Sequence, residues 1–209
     1  LYFQGESLIS AGDSKAASEA YKKLIASYSN GPLLADAYYA LGVTQQELGL
    51  AADAAATLKA FLDNAAFAQH PLADEVRLRQ GMSLFGQKKY DEAEKLFAAV
   101  AAVQDFPAAD FALLRQGQCR LESGKVAEAA ALFADLLGKF PNSTYKSAAQ
   151  LAAGKCYYLT DKLDDAQKAF QPLAGGNQDE SAEAAYWLGR TLLKKKKPQP
   201  RRRVVRSWR

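Results

Sequence analysis

The side chains capable of covalent or metal chemistry are few: two cysteines, Cys119 and Cys156, and one histidine, His70, in 209 residues. A structural zinc takes about four ligands at close spacing, and these three are too scattered to supply them. A thiol nucleophile needs a base beside it, and neither cysteine has a histidine near it in sequence. The pairs Gly124-Lys125 and Gly154-Lys155 lack the spacing of a phosphate-binding loop and its following Ser or Thr. There is no helix-borne histidine pair and no serine elbow. The paired acids Asp74-Glu75 and Asp164-Asp165 could in principle share acid–base work, but acids also suit the positive end of a helix. The composition therefore points away from catalysis: no catalytic residue, metal or cofactor is expected, and the chain is not expected to be an enzyme.

If chemistry does not set the function, the elements that shape the surface must. Hydrophobic residues make up 49% of the chain and charged residues 24%, the balance of a globular domain with a packed core. Charges interrupt every alanine-rich stretch well short of the roughly 20 apolar residues needed to span a bilayer. The net charge of +4 conceals a division. Nine of the 27 basic residues lie between Lys194 and Arg209, where there is no acid, leaving 18 basic residues against 23 acidic ones in the body. Overall charge is thus no argument for a nucleic-acid partner.

Both ends differ from the body. Leu1-Tyr2-Phe3-Gln4-Gly5 resembles the end of a protease site left by an affinity tag, so residues 1–5 are expected to be a tag remnant. Residues 194–209 have no alanine, no acid and two prolines, and are expected to be a non-native or disordered basic tail. Its alternative role is a basic arm for nucleic acid or anionic membrane. Residues 6–193 form the domain.

Within that domain the chain repeats. Gly42, Gly81, Gly117, Gly154 and Gly189 are spaced by 39, 36, 37 and 35 residues, and each follows by five a small or β-branched residue: Ala37, Val76, Ala112, Ala149 and Ala184. Twelve residues after the first four glycines come Ala54, Ala93, Ala129 and Ala166, and sixteen after them Leu58, Phe97, Phe133 and Phe170. A turn is expected seven residues after each, at Gly49, Lys88, Gly124 and Asp161. The runs between turns have helical apolar spacing, as in Ala93, Leu96, Phe97 and Val100. Each unit therefore reads as two antiparallel helices, with the small alanine permitting close approach and the later large residue filling the space beside it.

Helix-ending residues fall between units: Asn30-Gly31-Pro32, Phe106-Pro107, Pro141-Asn142-Ser143-Thr144 and Gly175-Gly176-Asn177. Ser143 or Thr144 is available to cap the next helix. His70 lies in the longest junction and is expected to be solvent-exposed. In the same register, Gly5 stands where a helix glycine belongs and Tyr21 where a filler belongs, so residues 1–5 are expected to continue a first helix packed on Tyr21 and Leu24. Gly189 opens a sixth unit, but twelve residues on stands Arg201 in place of alanine, so its second helix is missing and the parent protein is expected to continue.

These glycines, alanines and fillers, with Tyr38, Leu41 and Pro141, resemble the tetratricopeptide repeat family across residues 6–193. The tryptophan that the family places four residues before the glycine is absent: those positions hold Tyr38, Arg77, Leu113, Gln150 and Ala185. The looser, slightly long units are similar to bacterial members, for which either the cell envelope and periplasm or the cytoplasm would serve. The resemblance implies an all-α fold, a right-handed superhelical solenoid of antiparallel helix pairs with about five and a half repeats. It also implies a scaffold that binds a peptide or helical segment of a protein partner in a concave groove lined by the first helices.

In this family the groove stripe lies three residues before and four after the glycine. Here that selects Tyr39 and Gln46, Leu78 and Phe85, Leu114 and Leu121, Leu151 and Tyr158, Tyr186 and Leu193, all apolar or aromatic except Gln46. The residue after each glycine runs from apolar to basic: Val43, Met82, Gln118, Lys155, Arg190. A partner with an acidic end toward Lys155 and Arg190 is expected to fit. Lys and Asn, which hold chaperone C-terminal carboxylates in some members, are missing from Tyr39, Val43, Leu78 and Met82, so no such clamp is expected. Self-association within a larger solenoid is the alternative function, and neither nucleic acid nor membrane is an expected partner of the domain. Cys119 and Cys156 occupy equivalent positions two after their glycines. Helix axes are separated by about 8–10 Å, against roughly 7 Å or less between disulfide Cα atoms, so two packed free thiols are expected.

Overall fold

A computed structural model describes residues 1–196, and every regular element among them is helical. In chain order the helices are α1 (Tyr2–Ser10), α2 (Ser14–Ser27), α3 (Leu34–Glu47), α4 (Ala51–Asp63), α5 (Ala73–Gly86), α6 (Tyr90–Ala101), α7 (Ala109–Glu122), α8 (Val126–Lys139), α9 (Lys146–Leu159), α10 (Leu163–Ala174) and α11 (Ser181–Lys196). A single 3-10 turn, Ala65–Phe67, lies between α4 and α5. The chain divides into two compact units, Leu1–Leu132 and Phe133–Arg209, with the boundary inside α8.

In the first unit each helix from α1 to α6 packs on its successor, and the first helices α3 and α5 also touch. The second unit repeats the pattern, with α9 on α10, α10 on α11, and α9 touching α11. Local contacts of this kind are what repeated two-helix units produce.

The turn within each helix pair sits where the period places it. Gly12, Gly49, Lys88, Gly124 and Asp161 have φ of 81°, 75°, 61°, 75° and 61°. That left-handed conformation closes the helix end, because the next amide reaches back five residues to an otherwise unpaired carbonyl. Leu50 N–H donates to the Gln45 carbonyl at 2.8 Å, Lys89 to Leu84 at 3.0 Å, Lys125 to Arg120 at 2.8 Å and Lys162 to Tyr157 at 2.8 Å. Lys88 and Asp161 adopt without glycine a conformation that costs an ordinary residue roughly 1–2 kcal/mol.

The core follows the spacing of small and large residues. Ala54, Ala93, Ala129 and Ala166 are completely buried, as are Leu58, Phe97, Phe133 and Phe170. The closest approach is made at glycine. A methyl group on Gly81 would lie 2.8 Å from the Phe97 ring, and one on Gly154 would lie 2.5 Å from the Phe170 ring. Carbon atoms pack at about 3.5–4.0 Å, so the period is set by a glycine in one helix and the ring that fills its place from the next. Leu58 lies against Gly42 and Tyr21 against Gly5 in the same way. Gly189 meets no atom within 4 Å among the described residues; Val205, at the same sixteen-residue offset, lies outside them.

Residues 2–5 are helical, as their register requires, with Leu1 as the N-cap, and Tyr2 and Gly5 pack on Tyr21. The Tyr2 and Tyr21 ring centroids are 5.9 Å apart, and the Tyr21 hydroxyl donates to Glu6 at 2.5 Å. Burial and that bond raise the Tyr21 pKa. At the other end Lys194, Lys195 and Lys196 continue α11, and the rest of the basic tail, residues 197–209, lies outside the described residues.

His70 is not solvent-exposed as its loop position suggested. It is half-buried, edge-on to Phe61 at 5.8 Å, and its Nδ1 accepts the Leu72 N–H at 3.3 Å. The long junction gains order from Phe67, which the 3-10 turn carries into the core beside Phe61. Ser143 accepts the Tyr145 N–H at 3.0 Å, immediately ahead of α9, whose N-cap residue is Tyr145.

Candidate interaction surface

The first helices α3, α5 and α7 in one unit, and α9 and α11 in the other, carry every residue of the expected stripe. The structure sorts those residues into two groups. Leu78, Leu114 and Leu151 are only 5–6% exposed. They belong to the core and are removed from the surface, a correction with a simple cause: residues i and i+3 share a helix face, and the glycine three residues later already faces its filler. Leu78 accordingly clusters with Phe97, and Leu151 with Phe170.

The positions one and four after each glycine are less completely covered and keep surface. Val43, Phe85, Leu121, Lys155 and Tyr158 are half-buried, while Met82 and Arg190 are exposed. Tyr39 stays half-buried because its long side chain extends toward Arg79. Tyr186 and Leu193, on the helix whose glycine meets nothing among the described residues, are 58% and 65% exposed.

The stripe omitted the arginines two residues before Gly81 and Gly117, and these organise the surface of the first unit. Arg79 lies over the Tyr39 ring at 5.6 Å; its Nε donates to the Tyr39 hydroxyl at 3.1 Å and to Glu75 at 2.8 Å. Gln46 locks the same spot by donating to the Arg79 carbonyl and to Ser83 Oγ, both at 2.8 Å. A shallow cavity of about 390 Å³ opens beside them, reaching Met82 and Ala51. Arg115 lies between two rings, 5.4 Å from Phe85 and 5.0 Å from Phe111. The readable signal was an arginine at one repeated offset with an aromatic residue on the same or the preceding first helix.

In the second unit Arg190 repeats the theme over Tyr158, Tyr186 and Trp187, at 5.5, 5.7 and 5.2 Å. Lys155 is matched internally: it contacts Glu183 at 2.5 Å, and that hydrogen bond holds the Glu183 carboxyl below its usual range. Lys194 pairs with Asp161 at 2.8 Å, and Lys195 with Asp164 at 2.6 Å.

Both thiols are free and buried, and burial is the main cause pushing them up, Cys119 to about 12 and Cys156 to about 11. Neither is poised as a nucleophile. Among the described residues no cluster of three His, Cys, Asp or Glu could hold a metal, and no helix is long and apolar enough to cross a membrane.

The helix pairs, left-handed turns and glycine seams recur with a period that a sequence family shares. One tetratricopeptide repeat model matches residues 2–71 and 78–144, and a second matches residues 120–193. The chain belongs to the tetratricopeptide repeat family. Tetratricopeptide repeat proteins are protein–protein interaction scaffolds and are typically not enzymes, and this chain is read as such a scaffold.

Solved structures agree on the fold. A tetratricopeptide repeat protein from Parabacteroides merdae ATCC 43184 has a TM-score of 0.71 at 16% identity, over 91% of this chain and 74% of that one. YrrB, described as a tetratricopeptide protein with an unusual peptide-binding site, has a TM-score of 0.66 at 17% identity, over 94% and 90%. MamA gives 0.64 at 19% identity, over 91% and 94%. No curated protein matches the sequence significantly.

Proposed function

We propose that the first-helix faces of this scaffold bind a peptide or helical segment of a protein partner. The observation that carries the reading is the ordered aromatic and guanidinium surface at positions the core only partly covers: Tyr39 with Arg79, Phe85 with Arg115, Tyr158 with Arg190. Stacked in this way, large side chains are already fixed, so a partner meets amphipathic contact area at little further entropic cost. Peptide binding described for YrrB, a relative in fold, supports the same use.

The test is a partner-binding assay with the double variant Phe85→Ala, Tyr158→Ala. Loss of affinity on the order of tenfold or more is expected, since each such anchor contributes roughly 1 kcal/mol or more. Unchanged affinity sets the reading aside.

Self-association is favoured by one separate observation, the apolar surface of α11, where Leu192 and Leu193 are 39% and 65% exposed. Sedimentation of Leu193→Glu beside the parent chain decides it: a larger parent species that the variant loses supports association, and equal monomeric masses reject it.

A further inference from the structure

The surface of the second unit specifies its partner more narrowly, an inference that rests on the first-helix binding reading. Around α11, Lys155, Lys194 and Lys195 are each matched by a carboxylate of the same unit. Lys155 meets Glu183, Lys194 meets Asp161 and Lys195 meets Asp164. Arg190 is different. Its neighbours are the rings of Tyr158, Tyr186 and Trp187; it donates from Nη1 to the Tyr186 hydroxyl at 3.2 Å, and the Tyr158 side chain is a second hydrogen-bond partner. Among the described residues no carboxylate lies within ion-pair distance of it. Residues 197–209 contain no Asp or Glu.

A guanidinium has five N–H donors in a planar fork that matches a carboxylate bidentately. Here the two tyrosines engage part of the fork and rings hold its plane, and its remaining donors stand at an exposed position. The walls of the same site are apolar: Tyr186 is 58% exposed and Leu193 is 65% exposed. We propose that Arg190 anchors a carboxylate of an acidic protein segment whose neighbouring apolar side chains rest on Tyr158, Tyr186 and Leu193. Lys155, which the sequence offered as a second cation for the same acid, is already satisfied by Glu183 and takes no part.

The test uses the full chain with Trp208→Phe, so that Trp187 is the sole fluorescent indole, and a terminally blocked peptide of alternating leucine and aspartate. The control peptide carries asparagine for aspartate. The acidic peptide is expected to shift Trp187 emission with a strong salt dependence. Arg190→Gln is expected to weaken it roughly tenfold, the scale of one charge-assisted contact, and Arg190→Lys, which keeps charge but not the planar fork, to recover part of the loss. The asparagine peptide is expected to bind weakly and equally to parent and Arg190→Gln. Equal binding of the two peptides by the parent, or no binding of the acidic one, overturns the proposal. Binding that survives Arg190→Gln but is lost in Phe85→Ala, Tyr158→Ala overturns the anchor alone, and binding indifferent to both variants overturns the first-helix surface as well. Emission that changes when the protein alone is diluted identifies a second copy as the occupant and overturns the assignment of an acidic partner.

Discussion

Replacing Gly154 by alanine tests whether the repeat is held by a glycine-to-ring seam. Two effects oppose each other. Alanine is favoured over glycine in a helix interior by about 1 kcal/mol. The added methyl would lie 2.5 Å from Phe170 Cε1 and 2.8 Å from Cδ1 and Cζ, so the ring must retreat by roughly 1 Å to regain ordinary contact. Phe170 is fully buried and cannot swing into solvent, and overpacking of this kind costs about 1–3 kcal/mol. Gly189→Ala supplies the reference, because nothing lies within 4 Å of that position among the described residues and only the helical gain of about 1 kcal/mol applies. The difference in unfolding free energy between the two variants should therefore equal the overpacking cost, about 1–3 kcal/mol with Gly154→Ala the less stable. Urea titration followed by far-ultraviolet circular dichroism reads it. Adding Phe170→Leu to Gly154→Ala should make the pair less costly than the sum of its parts. Equal stabilisation by both alanines would refute the seam.

Four further outcomes follow from the structure. Lys88→Gly relieves a left-handed lysine and should raise stability by a few tenths to about 1 kcal/mol in the same titration, whereas Gly124→Ala should lower it by about 1 kcal/mol. Cys119 and Cys156 should resist dithionitrobenzoate in the folded chain and react on unfolding, because both thiols are buried. Their folded pKa values, raised from 9.0 to about 12 and about 11, leave the folded state holding protons that the unfolded state releases. Their contribution to stability is thus intact below about pH 9 and declines as pH rises toward 11 and 12. Glu183 carries the opposite sign: its pKa is lowered from 4.5 by Lys155, so its contribution is present above that value and is lost on acidification, and Lys155→Met should return the Glu183 titration, followed by NMR, toward 4.5.

The fold was legible because its determinants are local and repeated. A glycine, a small residue and a large one at fixed offsets fix a helix pair, and register places the turn at Lys88 although lysine does not favour a left-handed backbone. The surface was only partly legible. Leu78, Leu114 and Leu151 look like binding residues in an apolar stripe, but which side of a helix faces a neighbour depends on how the pairs pack, and these three face inward. The stacks of Arg79 on Tyr39 and of Arg115 on Phe85 join different helices, so the pattern within one helix shows only the Arg115–Phe111 half of them. His70 looked exposed for a related reason: Phe61 and Phe67, on separate elements, enclose it.

The central claim, that the first-helix faces are the working surface, is tested most directly by photo-crosslinking. A photoreactive amino acid is placed at Met82 or Tyr186, exposed on first helices, and in parallel at Lys95 or Lys168, exposed on second helices. Partner crosslinks from Met82 and Tyr186, with none from Lys95 and Lys168, are the predicted result. The reverse pattern would contradict the account.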